Sequence, residues 1–77
     1  MDLILYSRED CHLCEDAWAL ATAIAPERPI QVVDVDEDPA LEERYGLLVP
    51  VLREPGSGRE IGWPFDAAAL LAFLNGD

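Results

Sequence analysis

Apolar residues along this 77-residue chain fall in short blocks whose spacing switches between two periods. Residues 2–7, with Leu3-Ile4-Leu5-Tyr6 unbroken, are apolar on both faces of an extended segment, which predicts a central strand covered from either side. From about Cys11 to Ala25 the period becomes helical. Leu13, Ala17, Leu20, Ala21 and Ile24 make one apolar stripe, and Pro26 and Pro29 end it. Ile30 to Val35 is extended again, with Val32, Val33 and Val35 supplying β-branched residues. A strand, a helix and a strand within about thirty residues predict a right-handed βαβ unit with parallel strands.

Asp38 has the chemistry of an N-cap, and Pro39 suits the first helical position after it. A short helix is expected to run to Tyr45, with Leu41 and Tyr45 facing inward and Gly46 in a left-handed cap. Val49-Pro50-Val51-Leu52 reads as a third strand. Pro55-Gly56-Ser57-Gly58 reads as a turn, and Arg59 to Trp63 as a fourth strand returning beside the third. A last helix from about Ala67 to Leu74 is capped by Asp66, with Phe65 stapled to Leu70. The expected order is β-α-β-α-β-β-α, an α/β class. Residues 1–77 read as a single domain without repeat, linker or low-complexity segment.

Sixteen acidic residues face five arginines and no lysine, for a net charge of −11. Nucleic acid is therefore a poor partner, because phosphates must be met by basic groups. No apolar stretch approaches the roughly 20 residues of a membrane helix, and Met1-Asp2-Leu3 lacks the basic start of a secretory signal. The expected location is cytoplasmic, with no membrane partner. In that compartment stable structural disulfides are rare, so a lone C-x-x-C points to catalysis or metal binding.

That motif is Cys11-His12-Leu13-Cys14, which contains both cysteines of the chain. Placed after a strand and at the opening of a helix, the two thiols share one turn and can bridge. The positive end of the helix dipole favours thiolate, the species that attacks disulfides. Cys11, nearer the helix start, is the expected nucleophile, and Cys14 the resolving thiol. Protonated His12 would stabilise a neighbouring thiolate; otherwise it is a solvent-facing residue. Arg8 is the other nearby cation. Against both stand Glu9, Asp10, Glu15 and Asp16, whose charges oppose thiolate formation. An intrachain structural zinc site needs four ligands, and two cysteines with one histidine do not supply them, which leaves a metal shared between subunits as the remaining metal reading.

Further acidic patterns have plainer readings. Asp34, Asp36 and Asp38 alternate as in a calcium loop, but Pro39 stands where the loop needs glycine and Tyr45 where it needs glutamate, so they read as a strand end and a helix cap. Gly56-Ser57-Gly58 lacks the lysine of a phosphate loop. Trp18 and Trp63 are core or rim residues, with a peptide shelf beside the thiols as the functional option. Pro50, having no N–H, belongs at a strand start, an edge or a special turn.

Together these residues resemble the glutaredoxins of the thioredoxin superfamily. More narrowly, the chain is similar to small bacterial glutaredoxin-like proteins with Tyr-Ser-x-x-x-Cys-His-Leu-Cys-Glu (Tyr6 to Glu15), Asp-x-Asp-x-Asp-Pro (Asp34 to Pro39) and Tyr-Gly-x-x-Val-Pro-Val (Tyr45 to Val51). The resemblance spans essentially the whole chain. It implies a four-stranded mixed sheet with helices on both faces and a cis Val49-Pro50 bond beside the thiols. It also implies substrate positioning by the backbone of Val49 and a ligand role for the stretch holding Trp63 and Asp66. The implied activity is thiol–disulfide exchange on a disulfide-containing protein or small thiol substrate, with an unidentified reductant restoring the dithiol. Departures from the pattern weigh against glutathione as co-substrate. His12-Leu13 replaces Pro-Tyr, Trp63 replaces a glycine that would let the backbone approach, and glutathione is itself anionic. The competing class is a redox-silent thioredoxin-fold binding module with an acidic docking surface.

Overall fold

The computed structural model describes residues 2–76. Its elements are β1 (Leu3–Ser7), α1 (His12–Ile24), β2 (Ile30–Asp34), a 3-10 turn (Val35–Glu37), α2 (Pro39–Tyr45), β3 (Val51–Glu54), β4 (Arg59–Gly62) and α3 (Ala67–Leu74). The sheet order is β2-β1-β3-β4. β1 pairs in parallel with β2, Leu5 opposite Val32, and antiparallel with β3, Leu5 opposite Leu52. β3 and β4 form the expected hairpin, with Leu52 opposite Ile61. Gly58 turns it at φ 78, a conformation glycine adopts without steric cost.

Alternation along β1 divides the core in two. Leu3 and Leu5 point to one face, where they meet Ala17 and Ala21 of α1, Leu52, and Leu70 and Phe73 of α3. Tyr6 points to the other and packs with Val35, Tyr45 and Val51, flanked by Ile4 and Leu41. The unbroken apolar run of β1 is thus explained by helices on both faces. Small alanines on the inner side of α1 let that helix sit close to the strands. Each large aliphatic side chain removed from water contributes on the order of 1.5–3 kcal/mol, and a chain this short has few to spend.

The caps read from sequence are in place. Asp38 accepts from the Ala40 N–H at 2.9 Å with Pro39 next to it, and Asp66 accepts from the Ala69 N–H at 2.8 Å. Phe65 and Leu70 share one core cluster, as the staple requires.

Four expectations need correction. Val35 does not continue β2. The Asp34 carboxylate accepts from the Asp36 N–H at 2.8 Å and turns the chain into the 3-10 segment, burying Val35 under α2. β3 begins at Val51 rather than Val49, because the ring of Pro50 removes a ladder donor. Gly46 is right-handed (φ −55), and its glycine serves close packing instead, since a Cβ there would collide with the Glu42 carbonyl. Leu13 is not in the core stripe. The buried stripe of α1 starts at Cys14, which puts Leu13 about 100° round the helix and out toward solvent.

Candidate functional site

Asp10 and Cys11 set up the start of α1. Asp10 lies in the left-handed region (φ 59), tolerable for a short polar side chain, and turns the chain from β1 into the helix. Cys11 is the N-cap. Its backbone is extended, and its Sγ accepts from the Cys14 N–H at 3.2 Å. The Cys11 and Cys14 sulfurs are joined in a disulfide, with Cα atoms 5.2 Å apart. The two are unequal in exposure: Cys11 is partly open, whereas Cys14 is 3% exposed beneath the helix.

One groove holds this bridge, and another opens at Leu13, which lies between the two cysteines in the chain. The first, ≈ 630 Å³, contains both cysteines and runs over Leu5, Trp18 and Val32, with Asp10 and Glu15 at its rim. The second, ≈ 500 Å³, is lined by Leu13, Leu48, Val49, Trp63 and Pro64. Val49-Pro50 is cis, as the family resemblance implied. Trp63-Pro64 is also cis, which no residue-level signal distinguished from an ordinary X-Pro bond. The Trp63 N–H donates to the Pro50 carbonyl at 3.1 Å, tying the two proline segments together. Trp63 meets Phe65 edge-on with ring centroids 5.1 Å apart, so its indole is anchored to the core while forming one wall of the second groove.

The residues expected around the thiols divide between the grooves and the frame. His12 is 84% exposed, and its Nε2 lies 3.6 Å from Asp16 one turn along the helix. Arg8 has its guanidinium occupied. Nε is 3.0 Å from the Asp36 carboxylate, Nη1 donates to the Gly46 carbonyl at 2.8 Å, and Glu42 is 3.9 Å away. The hydrogen bond to Asp36 raises the Arg8 pKa above its ordinary value. Arg8 therefore fastens the loop before the thiols to α2. Asp36, the middle residue of the alternating aspartates, serves as its partner. Asp66 caps α3 and lines neither groove.

Sequence reasoning missed the cluster behind the second groove. Tyr45 stacks on Tyr6 at 4.1 Å between centroids, and its hydroxyl donates to Glu60, which also accepts from Arg53 at 2.9 Å. Burial and the Glu60 carboxylate push the Tyr45 hydroxyl up to about 12. Burial works against the Glu60 carboxylate, but its bonds from Tyr45 and Arg53 prevail and hold it below its usual range. An i, i+15 pairing leaves no local pattern to read.

A C-x-x-C bridge at the start of the first helix and a cis Val49-Pro50 bond leading into β3, on a β2-β1-β3-β4 sheet, make up a thioredoxin-like fold. Residues 2–75 match the model of the Glutaredoxin-like domain (DUF836), and the chain belongs to that family. It is similar to the crystal structure of target protein XcR50 from X. campestris, with 51% identity, 97% of each chain covered and a TM-score of 0.86. Protein Ne2328 from Nitrosomonas europaea is similar at 28% identity over 94% of this chain and 88% of that one, with a TM-score of 0.80. Thioredoxin 1 from Thermosipho africanus shares the fold at 18% identity, with 97% and 96% covered and a TM-score of 0.64. Among curated proteins none matches.

Proposed function

We propose that this protein is a thiol–disulfide oxidoreductase of protein disulfides. The supporting observation is the asymmetric pair: a partly open Cys11 at the helix cap, joined to a Cys14 that is sealed beneath it. In the reduced protein, Cys11 thiolate attacks one sulfur of the substrate disulfide. That bond breaks, the departing sulfur takes up a proton, and a Cys11–substrate mixed disulfide forms. Cys14, deprotonated, then attacks Cys11 Sγ and expels the second substrate thiolate. The substrate gains two electrons and the protein is left with the Cys11–Cys14 bridge. A protein dithiol returns the electrons by the reverse steps. The N–H of Cys14, aimed at Cys11 Sγ, and the helix N-terminus both stabilise the attacking thiolate.

The second groove suits a polypeptide better than glutathione. Leu13 (49% exposed), Leu47 and Leu48 stand open beside Val49 and Trp63. The groove offers no arginine to an anionic tripeptide. An apolar segment flanking a disulfide would lie against these leucines while the Val49 backbone pairs with it. A cytoplasmic, reducing setting fits this chemistry.

The test is reduction of a model protein disulfide by wild type, Cys11→Ser and Cys14→Ser, with a redox titration of the wild type. Cys11→Ser should fall to background, and Cys14→Ser should accumulate a mixed disulfide visible by mass spectrometry. A reversible two-electron couple between roughly −300 and −150 mV is expected. Activity surviving in Cys11→Ser would end this reading, and cysteines that stay reduced throughout that range would leave a redox-silent binding module.

A further inference from the structure

β2 is an edge of the sheet, paired with β1 alone. Edge strands in natural proteins are usually blunted by proline, lysine or a covering segment. Gln31-Val32-Val33 has neither residue, and Val32 is 54% exposed in the middle of it. Beside that strand runs the larger groove, whose apolar part is Val32, Leu5 and a Trp18 that is 46% exposed. Acidic side chains dominate its border: Asp10 and Glu15 on the helix side, and Glu9, Asp34 and Glu37 around the adjoining hollow below Val32, against Arg8, which lines both but is paired with Asp36, and His12, which faces Asp16.

Charge identifies the occupant. All five arginines are engaged inside the protein: Arg8 with Asp36, Arg28 with Glu54, Arg44 and Arg53 with Glu60, and Arg59 with the Phe73 carbonyl at the end of α3. Among the described residues none pairs with Glu9, Asp10, Glu15 or Glu37, so the groove keeps its negative rim. A second copy of the chain would bring another net −11 to the same edge and is repelled, as is any phosphate-rich surface. An extended segment alternating apolar and basic residues satisfies every element. Its backbone extends the sheet at β2, one set of side chains covers Val32 and Trp18, and the flanking cations meet the rim.

We propose that the β2 edge and the groove over Leu5, Trp18 and Val32 dock an extended basic segment of a partner protein. The site is distinct from the Leu13–Val49–Trp63 groove and does not rest on the exchange reading. A partner held there would sit against the disulfide and leave the second groove free.

The experiment titrates the oxidised protein with a cysteine-free peptide of alternating valine and lysine, followed by amide NMR shifts and Trp fluorescence. Controls are a peptide with glycine for valine and one with glutamate for lysine. Binding should move Gln31 to Val33 and the Trp18 indole, weaken with salt, and be lost with either control. Val32→Asp should weaken it about tenfold or more, the equivalent of roughly 1.4 kcal/mol. Asp10→Asn with Glu15→Gln, which keeps side-chain shape and the left-handed preference at position 10, should weaken binding and flatten its salt dependence. Shifts confined to Leu13, Val49 and Trp63 would overturn the proposal. So would equal binding of the glycine control or no binding up to about 1 mM, a free energy of only about 4 kcal/mol.

Discussion

Single residues in this chain often carry a duty different from the one their type suggests, and substitution separates the two. The family resemblance implied a ligand role for Asp66, yet its carboxylate is given to the Ala69 N–H. Asp66→Ala should cost about 1 kcal/mol in denaturant unfolding and leave the rate of protein-disulfide reduction unchanged. A large rise in KM with little loss of stability would restore the ligand role. Gly46 is the mirror case, a glycine kept for space. Its nearest obstacle is the Glu42 backbone, which cannot swing aside, and Arg8 Nη2 lies just beyond. Gly46→Ala should destabilise by about 1–3 kcal/mol, the usual range for overpacking a tight site. A neutral result would show that the end of α2 opens freely.

Elements whose signals are local were legible in the chain. The Asp-Pro and Phe-Asp starts of α2 and α3, the apolar run of β1 and the Pro-Gly-Ser-Gly turn each depend on neighbours within a few residues. What escaped depends on distance along the chain. That Leu13 would face a groove while Cys14 took its place in the core, that Arg8 would be bound by Asp36, and that Tyr45 would reach Glu60 are facts of docking, set by how α1 and α2 settle on the sheet. The two thiols were readable as a site because their spacing is itself local. The division of their surroundings into two grooves was not.

The docking of α2 makes a prediction of its own. The Tyr45 hydroxyl is pushed up to about 12 from its ordinary value of 10.0. The unfolded chain therefore releases this proton at lower pH than the folded one, and alkali favours unfolding. The contribution is whole below pH 10 and disappears as pH rises toward 12. Tyr45→Phe should be less stable at neutral pH for want of the bond to Glu60, but its stability should fall less steeply between pH 10 and 12. Paired urea titrations across that window provide the measurement. Parallel slopes for the two proteins would mean that Tyr45 ionises as easily folded as unfolded.

At the scale of the whole molecule, two electrostatic effects of opposite sign compete, and added salt decides between them. Specific pairs favour the folded state: Arg28 with Glu54 at 2.8 Å, Arg53 with Glu60 at 2.9 Å, and Arg8 with Asp36 at 3.0 Å. Folding also gathers a net charge of −11 into one small body, and that repulsion favours the expanded chain. The pairs are short, and those made by Arg28 and Arg53 are partly shielded from solvent, so salt reaches them poorly. The surplus carboxylates are mostly exposed and spread over distances comparable with the roughly 8–10 Å Debye length near physiological salt, where screening is effective. Removing repulsion therefore outweighs loosening the pairs. Raising sodium chloride from about 0.02 to about 0.3 M at pH 7 should raise Tm by several degrees, since about 1 kcal/mol corresponds to about 4–8 °C for a domain of this size. Acid acts on the pairs instead. Arg28 and the Ser57 N–H hold the Glu54 carboxylate below its usual range, despite some burial, and Glu60 is likewise held down. Their support is complete above the ordinary carboxylate range and is lost as pH falls through the depressed values, where the unfolded chain already binds the protons. The salt benefit should accordingly be largest near neutrality and shrink as carboxylates are neutralised toward pH 4. A Tm that falls with salt at pH 7 would mean that the few arginine pairs, not the surplus of acid, govern the stability of this fold.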